Sequence, residues 1–156
     1  MDAVDYYGDI EFVTAYTSGE GRAWMNHLSG RSYHTLQYQH YGRMRFTING
    51  GEEFTADAPS LLITRPGATC HFGSDGPWHH NYLGFRGARV ERMLAQGLLP
   101  IPEGMECAYF RIRDGETFFS LFRQCVGHAR SGSSLEAAFA TNAFERLLLQ
   151  LAFERE

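Results

Sequence analysis

The chain has 156 residues, a net charge of −4 with histidine neutral, 44% hydrophobic residues and 21% charged residues. This length and composition predict one globular domain with a sizeable core, and the acidic balance argues against a nucleic-acid-binding surface, which needs a basic face. No apolar run approaches the roughly 18 to 20 residues of a membrane span, and the N-terminus carries no apolar signal segment. Three widely spaced cysteines argue against a disulfide framework or a zinc knuckle. We therefore expect a cytoplasmic protein with reduced thiols.

The first two-thirds of the chain predict strands joined by short, evenly spaced turns. Residues 10–17 are rich in β-branched and aromatic side chains, and residues 43–48 alternate between apolar and polar side chains. Asn49-Gly50-Gly51 then supplies residues that tolerate positive φ, which a tight hairpin requires. Further strands are predicted at 34–41, 52–56, 60–65 and 78–86. Short strands with such turns favour a small barrel or sandwich over a parallel sheet.

The last third of the chain changes to a helical period. Helices are predicted at 88–97, 115–130 and 133–156. The second has one apolar stripe, made of Phe118, Leu121, Phe122, Cys125 and Val126. The third begins with a capping-box pattern formed by Ser133 and Glu136. Strands followed by helices predict an α+β fold.

Residues 78–86 carry an unusual mixture of aromatic rings and imidazoles. Successive side chains of a strand point to opposite faces, so Trp78, His80 and Tyr82 share one face, and Leu83 and Phe85 share the other. The second face is expected to pack on the helical third. Rings beside hydrogen-bonding groups suit a ligand with a flat apolar patch and edge hydroxyls, such as a sugar. The same pattern also fits aromatic core packing around a buried histidine, and the residues alone leave both interpretations open.

The order and spacing of several short motifs resemble the effector-binding domain of AraC-type transcription regulators. The motifs are Arg-x-Tyr-x-x-Leu at 31–36, Gly42, a return strand at 51–54, Leu61-Leu62-Ile63, Pro66-Gly67 and Trp-x-His-x-Tyr-x-x-Phe at 78–85. The C-terminal stretch ATNAFERLLLQLAFE is similar to the family's dimerisation helix. The resemblance covers most of residues 31–154.

This resemblance implies a double-stranded β-helix, a cupin-like jelly roll, followed by two packed C-terminal helices. It also implies a small polar ligand inside the barrel, possibly a sugar, with no cofactor and no enzymatic activity. The positions carried over to the ligand-binding wall are Arg31, Thr35, Gln37, Cys70, Phe72, His80 and Tyr82, with Trp78 on the same strand face. Tyr82 takes the place of the aromatic residue that stacks on the sugar in the arabinose regulator. Cys70 stands where the family commonly has histidine, which leaves the identity of the ligand open.

The rival interpretation is a stand-alone cupin, either a metal-dependent enzyme or a sugar-binding protein. Metal-binding cupins use a His-x-His pair, a glutamate and a further histidine on barrel strands, and this chain has no His-x-His. His34 and His40 share a strand face, but at ~3.3 Å per residue they lie about 20 Å apart, too far for one ion. Cys70 near His80 could be drawn as a nucleophile and base, but nothing resembles an oxyanion hole beside it. We therefore predict neither a metal site nor a catalytic residue.

The final helix carries more than one apolar stripe. Ala140, Phe144, Leu147, Leu148 and Leu151 are expected to pack inward. Ala138, Asn142, Glu145 and Leu149 recur at steps of four, three and four on a different face, as in a short heptad seam. A solvated face is the alternative, but the resemblance implies antiparallel pairing of this helix across a two-fold axis. We therefore predict a homodimer through this seam, with Ala152 also facing outward.

The predicted organisation is an N-terminal arm at 1–9, a ligand-binding barrel at 10–112 and a helical dimerisation segment at 113–156. The arm is expected to close over the barrel mouth when ligand binds, with Tyr6 or Tyr7 at the ligand or the rim. The family's DNA-binding domain is missing, so we expect a truncated chain whose parent binds DNA through that absent part. No membrane partner is expected.

Overall fold

The computed structural model describes residues 6–17, 25–28, 31–74 and 76–156, and for residues 25–28 it describes the backbone alone. The strands of this part of the chain are β1 Glu11–Thr17, β2 Met25–Leu28, β3 His34–Gln39, β4 Arg43–Ile48, β5 Phe54–Asp57, β6 Ser60–Thr64, β7 Cys70–Ser74, β8 His80–Arg86 and β9 Cys107–Arg111. The helices are α1 Ala88–Ala95, α2 Gly115–Arg130 and α3 Ser134–Arg155.

The strands form two antiparallel sheets. The five-stranded sheet has the order β1-β8-β3-β6-β9, and the four-stranded sheet has the order β2-β7-β4-β5. Neighbours in each sheet are mostly distant along the chain, as in the pairing of β3 with both β6 and β8. This is the jelly roll followed by two helices that the resemblance implied, so the predicted α+β fold is confirmed.

The hydrophobic core lies in two separate layers. The larger layer fills the space between the five-stranded sheet and the helices, and the predicted α2 stripe belongs to it, as do Leu83, Phe85 and Leu147. The smaller layer lies between the two sheets and consists of Met44, Phe46, Ala56, Leu62, Cys70, Phe72 and Trp78. The barrel interior is therefore tightly packed in one part. The remaining part is lined by polar and aromatic side chains and is described below.

Local sequence signals explain where several elements begin and end. The β4–β5 hairpin has positive φ at Asn49 (49°) and Gly50 (71°), as predicted from the Asn-Gly-Gly turn. The Ser133 side chain accepts a hydrogen bond from the Glu136 backbone amide at 3.2 Å, which caps α3. The predicted capping box is only half formed, because the Glu136 carboxylate bonds the Nδ1 atom of His128 on α2 instead of the Ser133 amide.

Three strands were not predicted from the sequence. These are β2, β7 and β9, whose segments do not show a clear apolar-polar alternation over enough residues. Predicted strands at 34–41 and 78–86 are shorter in the structure and span His34–Gln39 and His80–Arg86. The segment after β3 and the segment before β8 instead pass very close to each other at Gly42 and Trp78. A Cβ atom at Gly42 would lie 2.7 Å from the Trp78 Cβ atom.

Candidate ligand-binding cavity

A cavity of about 240 Å³ opens at one end of the barrel. Its walls come from both sheets, and its lining residues are Thr14, Arg31, Tyr33, Thr35, Gln37, Phe72 and Tyr82. The structure thus brings together five of the eight residues that were predicted as ligand-binding: Arg31, Thr35, Gln37, Phe72 and Tyr82. The lining is mainly polar and aromatic, whereas the neighbouring core layer between the sheets is apolar.

Strand alternation explains why β3 contributes polar groups to this cavity. Thr35 and Gln37 point between the sheets, whereas Leu36 and Tyr38 point to the helices and belong to the larger core layer. All four side chains are buried. The Thr35 hydroxyl is 2.5 Å from the Thr64 hydroxyl on the neighbouring strand β6, which fixes its orientation.

Gln37 is held in place by His80 on β8, which lies diagonally across from it, because the direct register partner of Gln37 is Tyr82. The His80 Nε2 atom is 2.6 Å from the Gln37 Oε1 atom. Burial lowers the pKa of His80 to about 3, so the ring is neutral near pH 7. An amide oxygen can only accept, so the His80 Nε2–H donates to Gln37. The Gln37 amide nitrogen keeps its N–H donors for a molecule in the cavity.

Four aromatic rings follow one another between the sheets. Trp78 lies just before β8, His80 and Tyr82 lie on the inner face of β8, and Tyr16 lies beside Tyr82 on β1. Trp78 and His80 are stacked, with ring centroids 4.7 Å apart and planes 13° apart. His80 and Tyr82 are 5.7 Å apart, and Tyr82 and Tyr16 are 5.5 Å apart. Tyr82 is half-buried at the cavity, whereas Trp78 is fully buried.

Three predicted site residues lie behind the cavity wall and not on it. Cys70 and Trp78 belong to the smaller core layer, and His80 is covered by Phe72, Trp78 and Tyr82. Burial raises the pKa of the Cys70 thiol to about 11, with the nearby Cys107 as a weaker cause. The thiol therefore stays protonated near pH 7, which argues against the nucleophile that was considered from the sequence.

Two lining residues, Thr14 and Tyr33, were not predicted. The register between β1 and β8 shifts between Phe12 and Thr14, so a β-bulge separates them. Phe12 packs on Phe144 of α3, whereas Thr14 reaches the cavity, although residues two apart in a regular strand share a face. The bulge cannot be read from the sequence, but Gly84 offers a signal, because a glycine inside a strand often marks close approach of a neighbour.

The outer face of α3 differs in detail from the predicted seam. Asn142 and Leu149 are exposed as predicted, and Leu149 has 59% of its surface accessible. Ala138 is buried and Glu145 bonds Arg89 of α1 at 2.7 Å, so these two residues face their own chain. Ala152, which was expected to face outward, is half-buried. The residues exposed along this face are Leu135, Phe139, Asn142, Arg146, Leu149 and Phe153, at alternating steps of four and three.

The N-terminal residues that the structure describes contact α1. The Arg89 guanidinium bonds the Asp9 carboxylate at 2.7 Å and the Tyr6 backbone carbonyl at 3.0 Å, and it lies 5.2 Å from the Tyr7 ring centroid. Neither tyrosine lines the cavity. Residues 1–5 of the predicted arm lie outside the described residues.

The described residues contain no group of three histidine, cysteine, aspartate or glutamate side chains placed to hold a metal ion. Within the same part of the chain, His34 stacks on Phe85 and His40 stacks on Phe119, so the two histidines considered as ligands lie in separate aromatic contacts. No helix in the described segments is both long and apolar enough to cross a membrane.

The fold and the cavity define a jelly roll that can enclose a small molecule and carries two helices on its outer side. Residues 8–151 match the family described as the AraC-like ligand binding domain. The chain therefore belongs to the AraC-like ligand-binding domain family, as the sequence motifs implied.

Two solved ToxT structures agree on the fold. The chain is similar to ToxT from Vibrio cholerae, with a TM-score of 0.53 and 6% identity over 89% of this chain and 56% of the ToxT chain. A second ToxT structure, bound to (E)-4-(8-methylnaphthalen-1-yl)but-3-enoic acid, gives a TM-score of 0.54 and 7% identity over 90% and 58% of the two chains. A DUF861 family protein from Thermotoga maritima matches 44% of this chain and 76% of its own, with a TM-score of 0.36 and 14% identity. No curated protein matches the chain.

Proposed function

We propose that this chain is the effector-sensing and dimerisation domain of an AraC-type transcription regulator. It is a small-molecule-binding module and not an enzyme. The observation that carries the proposal is the cavity between the sheets, whose lining combines hydroxyl, amide, guanidinium and ring groups in a chain of this family. A cytoplasmic location is part of the same proposal.

A sugar-sized polar molecule is the effector that this cavity favours. Ligand pockets for drug-sized molecules are roughly 300 to 1,000 Å³, so a cavity of about 240 Å³ suits a molecule with a single ring. Tyr82 offers a ring face for stacking, while Thr14, Thr35 and Gln37 offer hydrogen-bonding groups around it. The bound acid in the ToxT structure is consistent with small-molecule binding on this fold.

The first test is a thermal-shift screen of the purified chain against small metabolites, pentoses and hexoses among them. We expect at least one compound to stabilise the wild type and to bind Tyr82→Ala more weakly by about 1 to 3 kcal/mol, the usual loss for a central aromatic anchor. Tyr41→Ala removes an exposed tyrosine ring away from the cavity and is the control. A screen in which every stabilising compound acts equally on wild type and Tyr82→Ala would contradict a sensing role for this cavity.

Homodimerisation through α3 is the second part of the proposal. The exposed apolar side chains Leu135, Phe139, Leu149 and Phe153 support it, since each has more than half of its surface accessible. Their spacing follows a heptad seam. The interface we propose is therefore centred on Asn142 and Leu149 of the predicted set, with Phe139 and Phe153 as its large apolar members.

DNA binding is proposed for a longer protein that contains this domain. The chain spans 56% to 58% of the ToxT chains that it matches. A dimer of such a protein would hold two DNA-binding domains together, and avidity would then favour paired half-sites. In a gel-shift assay with the full-length protein, we expect the effector found in the screen to change affinity for paired sites but not for a single half-site.

A further inference from the structure

Arg31 is the one charged side chain among the seven cavity-lining residues in the described part of the chain. It is exposed at the cavity opening, and within the described part of the chain no carboxylate pairs with its guanidinium. By contrast, Arg86 at the end of β8 forms an ion pair with Glu11, with 2.8 Å between the Nε and Oε2 atoms. An unpaired guanidinium in a cavity is suited to bind a carboxylate or phosphate group, because its planar fork matches the two oxygens.

The inner part of the cavity offers hydrogen bonds without charge. Gln37 presents amide N–H donors, because His80 occupies its oxygen. His80 is itself neutral, so it gives no charge to an inner ligand group. Thr14, Tyr33 and Tyr82, which each carry a hydroxyl group, also line the space. This part of the lining therefore matches uncharged ligand oxygens.

We propose that the effector is a hydroxylated cyclic monocarboxylate of single-sugar size, for which a hexuronate is the model compound. Its carboxylate binds Arg31, one face of its ring lies on Tyr82, and a hydroxyl oxygen accepts a hydrogen bond from Gln37. The small volume leaves room for one ring, and a phosphate ester would add bulk and a second charge, whereas Arg31 is the single cation in the described lining. This inference rests on the proposed sensing function and specifies its ligand class.

The experiment compares sugars that differ at one carbon. Titration calorimetry on the purified chain measures galacturonate and glucuronate against galactose and glucose, which have a CH₂OH group where the acids have a carboxylate. We expect the better acid to bind roughly tenfold or more tightly than its neutral partner, as charge-assisted hydrogen bonds imply. That preference should disappear in Arg31→Gln and persist in Arg43→Gln, an exposed substitution on β4 outside the cavity.

Each outcome decides the inference. Equal binding of acid and neutral sugar, or an acid preference that survives Arg31→Gln, would overturn it while the sensing function stands. Tighter binding of benzoate than of either hexuronate would overturn the hydroxylated ring. If neither hexuronate binds but another screened compound depends on Tyr82, the ligand class is wrong and the proposed function holds. If no compound in the screen depends on Tyr82, both fail.

Discussion

Individual buried histidines give the fold a defined pH dependence. Burial lowers the pKa of His80 from 6.5 to about 3. Burial, with the nearby positive charge of Arg65 as a weaker cause, lowers the pKa of His34 from 6.5 to about 4. Between these values and 6.5 the unfolded chain binds more protons than the folded chain. Stability from the two rings is therefore fully present above about pH 6.5 and is lost as pH falls toward 4 and then 3.

We predict that the free energy of unfolding falls on acidification, and that His80→Gln reduces this fall. Each neutral buried histidine contributes up to about 1.4 kcal/mol per pH unit within its window. Urea denaturation at pH 7, 6, 5 and 4.5 measures the slope, and His71→Gln on the exposed face of β7 is the control. A His80→Gln slope as steep as that of the wild type would show that this ring is not the titrating group.

Position 84 has no space for a side chain, because two cavity residues pack directly on Gly84. A Cβ atom there would be 2.5 Å from the Tyr33 ring and 2.7 Å from the Thr14 methyl group. Both neighbours are side-chain ends that can move, so we expect Gly84→Ala to fold and to displace them from the cavity. Effector affinity should fall at least tenfold with a small change in melting temperature, and Gly127→Ala on α2, where no atom lies near, is the control. Unchanged affinity would show that these two side chains do not contact the effector.

At the scale of elements, Arg89 on α1 connects the N-terminal segment to α3. Its guanidinium bonds Asp9 and Glu145, each at 2.7 Å, and 11% of its side chain is accessible. Burial alone would raise the pKa of Asp9, but bonds from Arg92 and Arg89 outweigh it and lower that pKa. This network holds the segment before β1 against the helix that we propose as the dimer interface.

We predict that Arg89→Met releases this segment. The variant keeps the apolar stem, leaves the partly buried Glu145 carboxylate without its arginine and leaves Asp9 with Arg92 alone, which should cost about 1 to 3 kcal/mol. Chymotrypsin cleavage after Tyr6 and Tyr7 should become faster under native conditions. Arg92→Met is the matched control, because it loses only a more exposed bond to Asp9. If both variants are cleaved at the same rate, Arg89 is not the residue that fixes the segment.

The sequence predicted elements best where one regular period ran for long enough. The α2 stripe was placed correctly because a single apolar face repeats from Phe118 to Val126, about two and a half turns, and packs on one sheet. The outward face of α3 was predicted at partly wrong positions, because that helix has apolar residues on every side. Glu145 faces its own chain because α1 brings Arg89 next to it, and the sequence does not show where α1 lies. Thr14 was missed because one bulge in β1 reverses the face of every later residue in the strand.

At the scale of the whole molecule, we predict a dimer that one substitution on α3 disrupts. Leu149→Arg places two like charges near the two-fold axis and should give a folded monomer, while Gln124→Arg on the exposed side of α2 should remain dimeric. Sedimentation equilibrium measures both, and an interface near the ~1,200 to 1,600 Å² of standard complexes is expected. A wild-type chain that sediments as a monomer at high micromolar concentration would remove this role for α3.

Strand β3 has a consequence for how such a domain can diverge. Thr35 and Gln37 face the cavity, whereas the alternating residues Leu36 and Tyr38 face the helices. The Tyr38 hydroxyl donates a hydrogen bond to the Gly115 carbonyl at the start of α2. The odd positions of one short segment therefore line the cavity that we propose for the effector, and the even positions pack against the helices. Selection for a new effector can act on the odd positions without loosening the helices, and a library randomised at Thr35, Gln37 and Tyr82 should yield folded variants with altered specificity.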